Sequence, residues 1–188
     1  MTAVMEPQVG LLPWRITPIR PEDRADVHRL FAACSVASVR HRFRAPLPAF
    51  PARHLDELLA GPPERHDALA VRAGASRELV ALGSLALPYG PTDGGTAELG
   101  LLVVDAWQRR GLGRALTAAL IERAACRGVT RIVAEVEHGR GRLLTALTRG
   151  LTLVRRTVDR DGLTGIYAIP DGPFADPAAR PPVYRLEP

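Results

Sequence analysis

The chain predicts a single mixed α/β domain, and three observations carry that prediction. Apolar and β-branched runs of strand length alternate with segments whose apolar residues recur at helical spacing. The 188 residues suit one domain and are enough to bury a sizeable core. Midway, the run Leu99–Val104 passes through Asp105-Ala106-Trp107 into Gln108-Arg109-Arg110-Gly111-Leu112-Gly113-Arg114. There the period changes, and Leu112, Leu116, Ala119, Leu120 and Arg123 mark one helical stripe.

Residues 1–13 read as a flexible arm. Trp14–Ile19 alternates as a strand does, and Pro18, which cannot donate to a ladder, places it at an edge or a bulge. Pro21-Glu22-Asp23 opens a helix on which Val27, Leu30, Phe31 and Cys34 share a face. Ser35–Arg44 reads as a connection between the first two helices, followed by Pro46, Pro48 and Pro51. Ala52–Ala60 is a second short helix, closed by Gly61-Pro62-Pro63. His66–Ala73 and Leu79–Leu87 are strands joined by the turn Ala73-Gly74-Ala75-Ser76, and Tyr89–Gly95 is a hairpin loop. Thr96–Asp105 is the central strand and Gly111–Arg127 the central helix, stopped by Gly128. Ile132–Glu137 is another strand; Arg140–Arg149 is a helix with Leu143, Leu144 and Leu147 turned inward. Leu151–Asp159 and Leu163–Ile169 close a last hairpin around Arg160-Asp161-Gly162. The proline-rich stretch 170–188 is an extended tail.

All 25 basic residues are arginine and asparagine is absent, which reads as the codon bias of a GC-rich genome rather than as function. A formal charge of +5 suits a polyanionic small ligand. It also permits nucleic-acid contact, but aromatic residues are only 5% and none is interleaved with a basic run, which argues against stacking on bases. Cys34 and Cys126 stand far apart, outside any metal-ligand spacing, and read as thiols of a reducing compartment. No apolar stretch is long enough to span a membrane, and residues 1–10 lack the regions of a signal peptide, so the cytoplasm is the expected location. Monomer and homodimer both stay open.

A strand feeding a glycine-bearing helix start is a ready anion site. The first amides of a helix lack intrahelical partners, and the helix dipole adds positive charge there. Arg109, Arg110 and Arg114 add full charges beside it. A P-loop needs Gly-Lys-Ser/Thr, and the chain has no lysine; a dinucleotide fingerprint needs three glycines at G-x-G-x-x-G. The spacing from Gln108 to Gly113 is Gln-x-x-Gly-x-Gly. It resembles the pyrophosphate loop of the GNAT superfamily, the acetyl-CoA-dependent N-acyltransferases, whose pattern is Gln/Arg-x-x-Gly-x-Gly/Ala. Trp107 just before the loop and the alanine-rich helix after it fit the likeness.

The resemblance covers roughly residues 14–169. It implies one GNAT-like domain, a central mixed but mostly antiparallel sheet flanked by helices. It implies acetyl-CoA as cosubstrate, with Gln108 heading the loop and the pyrophosphate on main-chain amides from Arg109 through Arg110, Gly111, Leu112, Gly113 and Arg114 to Ala115. It implies a central strand splayed from its neighbour, with the amides of Val103 and Val104 holding the pantetheine and thioester. The family often starts the next helix with an Asn that touches the cofactor; Arg140 stands there. Many members carry a Tyr on that helix as acid for the departing thiolate. Leu143-Leu144-Thr145-Ala146-Leu147 has none and Tyr167 reads as core, so the acid is unassigned.

A narrower likeness runs through Ile16-x-x-Ile19-Arg20-Pro21-x-Asp23, Ser35-x-x-Ser38-x-x-x-Arg42-Phe43, His66-x-Ala68-Leu69-Ala70, Glu98 and Val104-Asp105-x-Trp107-Gln108. Together these look like the catalytic domain of bacterial protein-lysine acetyltransferases. An amine is mostly protonated at neutral pH and only its neutral form attacks a thioester, so a carboxylate must take the proton. The likeness places that base at Glu98; Glu135 and Glu137 are the runners-up, and His138 reads as a surface residue. The expected activity is therefore transfer of acetyl from acetyl-CoA to a primary amine by direct attack. A protein lysine is the favoured acceptor, because Ser35–Arg44 lies where the family builds its acceptor-side wall and resembles that subgroup; Arg40, Arg42 and Arg44 would repel a polyamine and suit a lysine among acidic residues, or else only neutralise CoA phosphates or face water. The alternatives are a small-molecule amine, or a silent acyl-CoA-binding module that regulates a partner.

Overall fold

The computed structural model describes residues 14–62, 65–87 and 95–170. The arm read over 1–13, residues 171–188 of the tail and residues 89–94 of the Tyr89–Gly95 loop lie outside them. The apolar runs become β1 (Trp14–Pro18), β2 (His66–Ala73), β3 (Glu78–Ala86), β4 (Thr96–Val103), β5 (Arg131–Val136), β6 (Thr152–Asp159) and β7 (Gly162–Ala168). They form one sheet in the order β1-β2-β3-β4-β5-β7-β6. Every neighbouring pair is antiparallel except β4 with β5. β1 is an edge strand, the place where Pro18 is tolerated.

Helices α1 (Arg24–Ala33), α2 (Val36–Phe43), α3 (Ala52–Ala60), α4 (Leu112–Cys126) and α5 (Gly141–Leu147) cover the sheet. Strand alternation sorts its side chains into two cores. Leu82 and Leu102 pack with Val27, Leu30, Phe31, Val39 and Leu55 of α1–α3. Leu85, Leu99, Ile132 and Ala134 pack with Leu112, Leu116, Leu120, Ile121 and Leu144 of α4 and α5. α4 lies hard against β3: a Cβ on Gly83 would stand 2.8 Å from Leu116 and Leu120. Its far half is tied to β2 by Asp67, a buried carboxylate that accepts from Arg123 at 2.7 and 2.9 Å and from Arg127. Gly128, at φ +78, ends the helix as expected.

Three readings change. Ser35–Arg44 is not a plain connection: Val36–Phe43 winds into α2, so three helices rather than two precede β2. Its apolar signal is sparse, because Val39 is its only buried residue and Val36 is 74% exposed. Capping carries it instead. The Ser35 hydroxyl accepts from the Ser38 amide at 3.2 Å, and Arg44 ends the helix in the left-handed region at φ +59. The fifth helix is shorter than Arg140–Arg149, and Leu143 is 52% exposed rather than inward, since only Leu144 and Leu147 meet the core. The central strand ends at Val103, and Asp105–Trp107 turns as a 3-10 helix before the loop.

Candidate active site

β4 and β5 are paired only from Thr96↔Arg131 to Glu98↔Val133. Beyond that β4 runs on to Val103 and β5 to Val136 without a ladder between them, so the sheet opens. A cavity of about 490 Å³ occupies the opening, a size suited to a small-molecule ligand. Its walls come from both layers: Ser38, His41, Arg42 and Arg44 from α2 and its C-cap on one side, Gly113, Arg114, Thr117 and Ala118 of α4 on the other.

Glu98 lines the cavity at the point where the strands part. Glu98, Gly100 and Leu102 point toward the α1–α3 layer, as do Glu135 and then Glu137 from β5. Among these carboxylates the contacts differ. Glu135 pairs with Arg44 at 3.0 Å. Glu137 accepts from Arg40 at 3.1 Å and from His41, contacts that outweigh burial and hold its carboxyl below the ordinary range. No hydrogen bond or ion pair engages Glu98 among the described residues; its charge acts on the mostly buried Arg42. His138 is exposed, as read. The arginines are also spoken for. Arg40 and Arg44 are neutralised by Glu137 and Glu135, and Arg42 turns inward, so the open positive face expected of the three does not exist.

At the other end lies the Gln108–Ala115 loop. Gln108 is a strut: its side-chain amide donates to the Ser38 hydroxyl at 2.9 Å and to the Val103 carbonyl at 3.1 Å. Arg109 takes φ +58 and Gly111 φ +86, the turn that lets α4 start. Arg110 lies over the Trp107 ring at 5.1 Å. A Cβ at Gly111 or Gly113 would meet nothing within 4 Å, so the helix mouth is open to an anion. Arg109, Gly113, Arg114 and Arg140 line the cavity with Gln108 and Val103; Val104, Arg110, Gly111, Leu112 and Ala115 do not. The Leu112 side chain is in the core at 1% exposure.

Two main-chain donors expected to be free are in use. The Ala115 amide donates to the Gly111 carbonyl at 3.0 Å as the helix's first turn closes. The Val104 amide donates to the Val80 carbonyl of β3 at 3.0 Å. Alternation along the strand turns the Val103 N–H to the opposite edge, where β5 has departed, so Val103 keeps a donor facing the opening and Val104 does not.

Asp105 joins the two ends of the site, a role sequence reasoning missed. Its carboxylate accepts from the Ser35 amide at 2.8 Å, the Ser35 hydroxyl at 2.8 Å and the Ser38 hydroxyl at 3.0 Å. Burial pushes the Asp105 carboxyl up, but these bonds outweigh it and hold the group below the ordinary value. The Ser35-x-x-Ser38 and Asp105-x-x-Gln108 spacings were visible; that they face each other needs the tertiary fold. Tyr167 is core, donating to the Leu144 carbonyl at 2.8 Å. Burial, then Asp105, raises the Cys34 thiol to about 11, so it is inert. No helix among the described residues is long and apolar enough to cross a membrane.

A sheet opened between two parallel strands, with a glycine-bearing helix mouth at the opening, defines an acyl-CoA-type acyltransferase fold. Residues 26–143 match the acetyltransferase (GNAT) family, and the chain belongs to it as an acetyl-CoA-dependent N-acyltransferase. The GNAT domain of S. lividans PAT is similar at 23% identity and a TM-score of 0.72, over 82% of this chain and 89% of that one. YncA from Salmonella typhimurium, solved with its cofactor acetyl-CoA, aligns at 19% identity and 0.63, over 84% and 93%. A spermidine N-acetyltransferase chimera from Vibrio cholerae and hSSAT aligns at 14% and 0.58, over 84% and 95%. No curated protein matches the chain.

Proposed function

We propose that this enzyme acetylates a primary amine, with a protein lysine as acceptor, and that Glu98 takes the proton from the attacking nitrogen. One observation carries the choice of base: of the three carboxylates on the α2 side of the opening, Glu98 lines the cavity with no ion pair among the described residues, while Glu135 and Glu137 are held by Arg44, Arg40 and His41. A carboxylate already bound by a guanidinium is a poor proton acceptor; an unpaired one beside the cavity is available.

Acetyl-CoA fits the residues present. The open helix mouth at Gly111 and Gly113 suits its pyrophosphate, with Arg109, Arg114 and Arg140 as the cations at the cavity, and the Val103 N–H is the donor facing the thioester end. The cosubstrate supplies an activated acetyl group. Glu98 receives the amine proton, Gln108 holds the loop to β4 and α2, and α2 walls the acceptor side. The preference for lysine rests on the Ser35, Ser38, Asp105 and Gln108 positions of the lysine-acetyltransferase likeness, which here form one hydrogen-bonded cluster. A small-molecule amine is the second reading, favoured by one observation: with Arg40 and Arg44 paired, the wall that would repel a polyamine is neutralised.

The test is Glu98→Gln. Loss of a general base costs about 10²- to 10⁴-fold in kcat, while stabilisation by acetyl-CoA stays as in the wild type. A variant within about threefold of wild type removes Glu98 from the role. Incubation with acetyl-CoA and bacterial lysate, read by mass spectrometry, decides the acceptor. The chain has no lysine, so every acetyl-lysine found belongs to a partner. Faster turnover of a free amine than of any protein overturns the lysine reading.

A further inference from the structure

We infer that Arg42 is a positioning residue for Glu98: its guanidinium lies over β4 one same-face step from that carboxylate and outside ion-pair distance of it. The inference rests on the reading of Glu98 as proton acceptor and adds the group that keeps it fit for the task.

The seat is built from three elements. Arg42 leaves α2 and lies over Gly100 of β4, where any Cβ would overlap the guanidinium. It donates to the Ser84 hydroxyl of β3 at 3.2 Å, and Ser84 and Gly100 are registered partners across the two strands. The next pair on the same face is Ala86↔Glu98. One two-residue step along a strand is about 7 Å, so the two side chains are neighbours on this face. From α3 the His54 ring stands 3.5 Å from the guanidinium, and the Phe43 ring lies 5.1 Å from it.

A mostly buried cation needs a reason. Among the described residues no carboxylate comes within ion-pair distance of Arg42, although Asp23, Asp26, Asp67, Glu135 and Glu137 each hold an arginine elsewhere. Burial lowers its proton affinity and Glu98 is the charge that opposes this. The titratable and charged groups on this face are Arg42 and His41 of α2, His54 of α3 behind Arg42, and His66 of β2 in the row His66, Ala86, Glu98 with Glu57 against it, while Glu135 and Arg44 cancel each other across the opening. An opposite charge nearby favours the ionised form of a carboxylate, the form that can take a proton. A guanidinium seated one same-face step away acts in that sense, and because no direct pair forms among the described residues, Arg42 leaves the Glu98 carboxylate at the cavity wall for the acceptor's ammonium. A bidentate salt bridge in the same place would hold the charge and block the base.

The first test needs no acceptor. In the full-length protein with ¹³C-labelled glutamate, the Glu98 carboxyl signal, assigned by its loss in Glu98→Gln, is followed against pH. In Arg42→Gln its titration midpoint moves up by about one unit, as expected on losing a nearby opposite charge, and Arg42→Lys restores most of it. A midpoint in Arg42→Gln indistinguishable from wild type overturns the inference. The second test is a kinetic cycle with acetyl-CoA and, as amine probe, a lysine peptide blocked at both ends, read by thiol release. Arg42→Gln lowers kcat about tenfold with KM for acetyl-CoA unchanged, and adds nothing in the Glu98→Gln background. An equal fall in both backgrounds means that Arg42 acts on the fold and not through Glu98. If Arg42→Gln does not fold, Ser84→Ala, which removes only the hydroxyl that seats the guanidinium, is read the same way. An active Glu98→Gln sinks the choice of base while leaving the NMR coupling to stand or fall alone.

Discussion

Asp105→Ala releases the start of α2 from the turn that leads into the Gln108–Ala115 loop. The carboxylate accepts three bonds, two from Ser35 and one from Ser38. Each is worth about 1 kcal/mol net, and the exposed setting trims the sum to roughly 2 kcal/mol. For a chain of this size about 1 kcal/mol moves Tm by 2–4 °C, so a fall of about 4–8 °C is expected. The helix itself survives, because the Ser35 hydroxyl still caps the Ser38 amide. The pH dependence identifies the cause. The folded carboxyl is held below its ordinary value of 3.8. Its contribution is therefore complete above that value and disappears as pH falls through the lower folded value. Urea titrations of both proteins from pH 8 to 3 should show a constant gap down to about pH 5 that closes only below pH 4. A gap already narrowing between pH 8 and 5, or no gap at all, refutes the assignment of the bonds to the ionised carboxylate.

Gly113→Asp puts a carboxylate at the open mouth of α4. Wild-type protein gains about 2.7 kcal/mol from acetyl-CoA at 100 times its Kd, and the variant should gain nothing; a normal thermal shift in the variant means the anion sits elsewhere. His54 is held near 4 by burial first, then by Arg42 and His66, with Glu57 opposing. Unfolded, it titrates near 6.5, so stability is complete above that pH and drains toward 4, by roughly 2 kcal/mol after allowance for the partly exposed ring. His54→Phe, which keeps the stack on Phe50 at 5.7 Å, should flatten that window; equal slopes in both proteins refute it.

The strands were legible because burial imposes its period on the sequence: all seven were read, with ends shifted by a residue or two. The glycine-bearing start of α4 was legible for a different reason, since Gly111 meets a backbone demand that few other residues satisfy. α2 was not, because one buried valine leaves no stripe and its cap is a matter of two serines. At the site, Gln108 was read from the loop's own spacing and Glu98 from the lysine-acetyltransferase likeness, and both lie at the cavity. Which carboxylate is engaged could not be read, because Arg40, His41 and Arg44 reach Glu135 and Glu137 across more than 90 residues of chain. The same holds for the donors at Val104 and Ala115. Main-chain amides carry no signature of their own, and whether one is spent depends on which strand or turn lies next to it.

The gap between β4 and β5 runs through the sheet, with α4 behind it and α2 in front. An enzyme built this way has two doors on opposite sides of one wall. A bulky nucleotide thioester and an amine acceptor can each use its own door, and neither has to leave before the other arrives. Initial-rate plots for the two substrates should then intersect rather than run parallel, and a dead-end analogue filling one door should leave the other passable.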